Sequence, residues 1–269
     1  MARKITKPFR FKKFEVMHTV SAHKVGVDGV LVALWTALPE VPAPFPGKSS
    51  SIDVDSVDCA PLILDAGCGC GVISLILAQR CSERFTDFRV DAIDIDEPSV
   101  EEASDNFRRS LWSDFLGVEN IAFDMLPGYN RYSLIVSNPP YFDAGISDPV
   151  TRRERARHCG SLSPLSLIAR APELLSDNGI LSMIVPSESA PSLIDFAAEE
   201  GLVTERLTWV KGHADAPVKR ALLQFRRRSA EFPASSDTLP NENTLVLETA
   251  PGVPTPEYHL LGRDFYLYF

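Results

Sequence analysis

Residues 61–71 read PLILDAGCGCG, and this stretch decides the fold. Leu62, Ile63 and Leu64 make a short apolar run of buried-strand length, and glycines at 67, 69 and 71 end it. Gly71 to Arg80, with Val72, Leu75, Ile76 and Ala78 apolar, has helical spacing. A strand that passes through a glycine turn into a helix begins a β–α unit, and there a ligand can approach the backbone at the carboxyl edge of a sheet. A dinucleotide fingerprint needs G-x-G-x-x-G. Here residue 72 is valine, and the pattern is D-x-G-x-G-x-G.

The alternation continues outward. FRVDAIDID (88–96) reads as a strand and 97–109 as a helix; 119–123 and 132–137 are further strands. Ser163-Pro164 caps a helix running towards Ser176, and Pro172 should kink it or end it early. ILSMIVP (180–186) is a strand, 189–200 a helix, and VTERLTWV (203–210) and KRALLQF (219–225) two more strands. The fold class is α/β, a doubly wound, mostly parallel, seven-stranded sheet. The last two strands leave no room for a crossover helix and are expected as an antiparallel edge hairpin. NTLVLET (243–249) and DFYLYF (264–269) read as two short closing strands. The domain division is 1–38, a basic arm with a lead helix; 39–60, a Pro/Ser-rich insertion; 61–228, the core; and 229–269, a linker with C-terminal strands.

Composition narrows the class. The chain has 269 residues and net charge −9, yet residues 1–24 carry seven Lys or Arg against one acid, Glu15. That is a basic arm on an acidic body, suited to a polyanion or simply to solubility. No apolar run reaches membrane-spanning length, and the N-terminus lacks a secretory apolar stretch. Five scattered cysteines (59, 68, 70, 81, 159) read as reduced thiols of a cytoplasmic protein. Cys68-Gly-Cys70 has no second ligand pair, so no metal is expected.

The glycine motif resembles motif I of class I methyltransferases, which have a Rossmann-like fold and bind S-adenosylmethionine. That resemblance assigns Asp65, Gly67 and Gly69 to the cofactor. Asp94, at the end of the second strand, can accept hydrogen bonds from both ribose hydroxyls, with Ile95 beside it. Asp96 could instead cap the next helix. Asp124 falls where the family places a side chain on the adenine amino group, and Met125 falls against the ring.

Asn138-Pro139-Pro140-Tyr141, after the fourth strand, resembles motif IV of enzymes that methylate planar amide or amine nitrogens. An exocyclic amino nitrogen is a poor nucleophile because its lone pair is delocalised into the ring. The Asn138 side-chain oxygen and the Pro139 carbonyl can accept its two N–H bonds and aim the lone pair. Pro139 and Pro140 stiffen the turn, and Tyr141 offers a face on which a flipped base stacks. The motif alone leaves adenine N6, guanine N2 and the glutamine amide open, as well as a non-catalytic binding module.

The flanks choose among these. FRFKKFEVMHTVSAHKVGVDGVLVALW (9–35) resembles the N-terminal signature of the bacterial tRNA1(Val) adenine-37 N6-methyltransferases. So do the arginines after motif IV and the KRALLQF and DFYLYF pieces. The long 39–60 insertion and the cysteines at 68 and 70 depart from that pattern. The resemblance implies a monomer or weak dimer that methylates N6 of adenosine 37 in the anticodon loop of valine tRNA. Arg10, Lys12, Lys13, Arg152, Arg153, Arg155, Arg157, Lys219 and Arg220 would then track phosphates. Arg226, Arg227 and Arg228 read as a solvated face. Lys24 and Asp28 precede a helix (29–38) that the family sets near the methionine part of the cofactor; Asp28 could equally be an N-cap.

Overall fold

The computed structural model describes residues 7–21, 24–40, 60–128, 130–140, 162–228 and 240–269. Tyr141, the four arginines at 152–157 and nearly all of the 39–60 insertion lie outside the described residues.

A two-stranded ribbon, β1 (Phe9–Arg10) and β2 (Glu15–Val16), comes first, followed by helix α1 (Val27–Trp35). Then come β3 (Leu62–Ala66), α2 (Val72–Ser82), β4 (Arg89–Asp94), α3 (Glu97–Arg108), β5 (Leu116–Asn120) and β6 (Tyr132–Ser137). After these come α4 (Pro164–Leu174), β7 (Leu175–Pro186), α5 (Ala190–Glu199), β8 (Leu202–His213) and β9 (Arg220–Arg227). The chain closes with β10 (Asn241–Ala250), β11 (Val253–Pro254) and α6 (Pro256–Gly262).

The central sheet runs β11-β10-β8-β9-β7-β6-β3-β4-β5. It is mixed and mostly parallel, with helices on both faces. Alternation along the strands builds two cores. Ile63, Leu134, Val136 and Leu222 face α1, α2 and α3, while Leu64, Ile135, Leu181 and Phe225 face α4 and α5.

Three expectations need correction. The sheet has nine strands, not seven, and the β8–β9 hairpin is not at its edge. β9 inserts antiparallel between β7 and β8, and β10 then pairs parallel with β8 from Asn241↔Arg206 to Glu248↔His213. A twelve-residue β8 presents a long open ladder, and the C-terminal residues satisfy it. DFYLYF forms no strand. It turns back on α6, and only Phe11 and Tyr266 make a β-bridge there. Pro172 sits in the last turn of α4, which ends at Leu174.

The arm is docked along its described part. Phe11, Phe14 and Val16 are buried. Phe11 packs between Phe9, Phe14 and Tyr266, and Phe14 meets the Trp112 ring edge-on. Lys12 N–H donates to the Phe265 carbonyl at 2.8 Å. α1 is fixed across the middle strands by polar groups that the sheet would otherwise bury unpaired. Trp35 Nε1 donates to Thr208, Thr36 meets Ser182, and the Ala37 N–H donates to Gln224.

Candidate active site

Parallel register brings the predicted residues to one edge. Asp65 stands opposite Val136, Ala66 opposite Ile93, and Asp94 opposite Asn120, so β3, β4, β5 and β6 end together at the carboxyl edge. The turn after β3 is built from three left-handed glycines, Gly67 (φ 75°), Gly69 (φ 53°) and Gly71 (φ 80°). A Cβ on Gly67 would fall 2.4 Å from Leu162, and one on Gly71 would fall 2.5 Å from the Phe107 ring. The Gly67 and Cys68 N–H groups donate to the Ile93 carbonyl, which pins the turn to β4.

Asp65 is fully buried. Its Oδ2 accepts from the Ser74 N–H at 3.0 Å and the Ser74 hydroxyl at 2.6 Å, holding the first turn of α2. Its Oδ1 is buried without a hydrogen-bond partner among the described residues. Burial pushes the carboxyl up to about 7, against the two Ser74 bonds that pull it down. Asp94 sits at the mouth of the turn. Its Oδ2 accepts from the Gly69 N–H at 2.8 Å and its Oδ1 from the Asp96 N–H at 2.9 Å. Asp96 caps α3 through Ser99, the alternative role left open for it.

Ile95 and Met125 are apolar yet 70% and 69% exposed, one after β4 and the other after β5. Asp124 precedes Met125 with a buried Oδ1 that has no hydrogen-bond partner among the described residues, and its carbonyl accepts from Arg170. These features fit S-adenosylmethionine. The site offers acceptors for ribose hydroxyls, buried carboxylate oxygens for an amino group, and apolar side chains for the purine ring. Burial holds the Cys68 thiol well above its usual range and pushes Cys70 up to about 12, so both stay protonated near neutral pH.

Asn138 and Pro140 are half-buried and Pro139 is buried, immediately past β6. The Ser137 hydroxyl donates to the Ala66 carbonyl at 2.7 Å and locks the end of β6 to the glycine turn. Across from Asn138 lies α1. A Cβ on Gly29 would stand 3.9 Å from Asn138 Nδ2 and 3.8 Å from Val72 and Ile73. Gly26 holds the N-cap position of α1 and makes no side-chain cap. Asp28 is in the first turn, with its Oδ2 2.8 Å from Arg220 Nε, so two residues expected in different roles form an ion pair. Lys24 is exposed just before that helix.

The basic residues divide between the two ends of the sheet. Arg220 begins β9, with Lys219 just before it, and pairs with Pro186 at the same edge as Asn138. Arg10, Lys12 and Lys13 lie at the other edge, roughly 16 Å away by the eleven-residue length of α2. There Arg10 pairs with Glu15, Lys13 with Glu83, and Lys12 Nζ donates to the Arg263 carbonyl. Arg226 is not part of a solvated face; its guanidinium is 2.7 Å from Glu205 and its side chain is 15% exposed. Arg227 donates to the Leu175 carbonyl, and Arg228 is exposed.

Sequence reading missed Glu102 and Asn106 of α3, which hold residues 17–21. Four residues apart, they share a helix face with buried Ala103, and two polar groups on such a face were the available signal. Among the described residues there is no cluster of side chains that could hold a metal ion, and no helix long and apolar enough to cross a membrane.

The comparisons agree with this geometry. Residues 54–194 match the methyltransferase small domain model. The chain is 37% identical over 262 residues to the tRNA1(Val) (adenine(37)-N6)-methyltransferase of Trichodesmium erythraeum, covering 96% of this chain and 97% of that protein. It is 36% identical to the same-named protein of Flavobacterium psychrophilum, covering 96% and 99%. The chain belongs to the tRNA1(Val) (adenine(37)-N6)-methyltransferase family. The Proteus mirabilis member is 31% identical, with 97% and 94% covered. Among solved structures, Agrobacterium tumefaciens Atu636, described as a predicted O-methyltransferase, superposes with a TM-score of 0.58 at 15% identity over 88% of this chain and 96% of that one. At that identity the likeness concerns the fold.

Proposed function

We propose that this family member transfers a methyl group from S-adenosylmethionine to N6 of adenosine 37 in the anticodon loop of valine tRNA, in the cytoplasm. The observation that carries the reading is Asn138-Pro139-Pro140 at the end of β6, level with the glycine turn at the end of β3. S-adenosylmethionine supplies a methyl group on a cationic sulfur, a leaving group that departs neutral.

The chain does the rest by placement. Gly67, Gly69 and Asp94 hold the nucleoside end, Ile95 and Met125 cover the ring, and Asp124 meets its amino group. Asp65 adds a buried carboxylate near neutrality. Asn138 Oδ1 and the Pro139 carbonyl accept the two N–H bonds of the adenine amino group. This leaves the nitrogen more tetrahedral and its lone pair free to attack. The extra proton leaves to water after transfer, so no strong base is required. Tyr141 stacks the flipped base, which starts partly unstacked in a loop. In this proposal Lys24 and Asp28 serve the methionine part of the cofactor, Lys219 and Arg220 meet phosphates beside the site, and Arg152, Arg153, Arg155 and Arg157 meet phosphates as well. Arg10, Lys12 and Lys13 meet more distant ones, and the protein acts as a monomer or weak dimer.

The test is nucleoside mass spectrometry of unmodified valine tRNA after incubation with protein and S-adenosylmethionine. N6-methyladenosine is expected in the anticodon-loop fragment. Cofactor binding without that product would move the acceptor to guanine N2 or to a protein glutamine.

A further inference from the structure

We propose that Glu102 is a positioning residue: from the back of α3 it latches a strap, residues 17–21, and so sets the N-terminal turn of α1 against Asn138 and the cofactor turn. The inference rests on the methyl-transfer reading above.

The contacts are dense for a single side chain. Glu102 Oε1 accepts from the Thr19 N–H at 2.6 Å, the Thr19 hydroxyl at 2.8 Å and the Val20 N–H at 3.2 Å; Oε2 accepts from the Ser21 N–H at 2.9 Å. The residue is 5% exposed. A buried carboxylate is stable only when its lone pairs are filled, and here consecutive backbone donors of one remote segment fill them. Those bonds hold the carboxyl below its ordinary range despite burial, so the latch stays ionised through neutral pH.

One turn further along α3, Asn106 repeats the arrangement. Its Oδ1 accepts from the Met17 N–H at 2.9 Å, and its Nδ2 donates to the carbonyls of Met17 at 2.8 Å and Cys70 at 2.9 Å. Cys70 is in the glycine turn, so one side chain ties the strap to the cofactor loop. Next to Met17 in the strap, His18 Nδ1 accepts from the Val25 N–H at 3.2 Å, one residue before the Gly26 cap of α1. α1 then presents Gly29 to Asn138 and pairs Asp28 with Arg220. Hydrogen bonds and the short backbone between them therefore link Glu102 to the helix that backs the reacting centre.

Glu102→Gln is the test. It keeps shape and packing but turns the Ser21 N–H against an amide N–H₂. The expected result has three parts, read on the full chain. The amides of residues 19–21 exchange hydrogen faster while those of β3 to β7 do not. The Kd for S-adenosylmethionine, measured without RNA, rises about tenfold. In tRNA methylation KM for the cofactor follows, with kcat within about threefold of wild type. Thr19→Val removes one donor without touching α3 and should give about a threefold rise in Kd, which keeps the inference testable if Glu102→Gln folds poorly. Wild-type Kd in both variants, or unchanged exchange at 19–21 in Glu102→Gln, would overturn the latch. Because Kd and exchange need no acceptor, failure of the latch is distinguishable from failure to find methylated adenosine 37.

Discussion

The two edges of the central sheet are built on opposite lines. At the amino edge rings and charges are paired. Phe9, Phe11, Phe14, Trp112 and Tyr266 interlock, and Arg10 and Lys13 have acidic partners. At the carboxyl edge, potential is left over. Three glycines hold left-handed conformations, Asp65 and Asp124 bury oxygens without partners among the described residues, and Ile95 and Met125 face water. The unpaired oxygens and exposed apolar side chains cost stability unless a ligand completes them, and the glycines leave room for one. The contrast separates what keeps the chain folded from what the chain is for.

Substitutions can break that division, and the largest effect is expected at the reacting centre. Asn138→Ala should lower kcat/KM for tRNA methylation on the order of 10²–10³-fold with an unchanged melting temperature, since one transition-state acceptor is lost. Full transfer by this variant would end the proposed mechanism. Phe11→Ala should do the reverse. Removing a buried ring costs about 3 kcal/mol of stability by denaturant titration, while folded enzyme at saturating substrate keeps its kcat. Ile95→Ala should raise KM for the cofactor about tenfold and leave the melting temperature alone, because its side chain meets water until a ring covers it.

Asp65 sharpens the comparison through pH. Its folded carboxyl lies near 7 and its ordinary value is 3.8, so its protonated form favours folding. That contribution is complete below about 4 and is lost as pH rises through about 7. A cationic cofactor selects the ionised form. Binding at pH 6 should therefore release close to one proton, read from calorimetry in buffers of different ionisation heat, and Asp65→Asn should abolish the release. The smallest effect belongs to the amino edge: Arg10→Ala with Lys13→Ala should change stability by less than about 1 kcal/mol, because both pairs are exposed.

What the sequence made legible was local. The glycine turn, Asp94, Asp96 and Asn138 each sit within a few residues of a strand end, and the position of a strand end follows from alternation and the next glycine or proline. What stayed hidden depends on partners far apart in the chain. Glu102 and Thr19 are separated by 83 positions, and each alone reads as an ordinary polar residue. Charge partners were hidden for a similar reason. Lys12 and Lys13 read as a bare basic cluster, and only the fold sets the Arg263 carbonyl and Glu83 beside them. β10 was legible as a strand but not in its place, because its pairing with β8 follows a connection that carries no pattern of its own.

That placement matters for how the protein is made. β8 is complete by residue 213 and gains its β9 neighbour by 227, but its other side stays open until residues 241–250 have been synthesised. A chain interrupted at residue 228 would expose a twelve-residue strand to any neighbour able to pair with it. In the finished sheet β10 covers that side of β8, and the two residues of β11 pair with the end of β10 at Glu248 and Ala250. The last strands to be made therefore close the ladder that the earlier ones leave open.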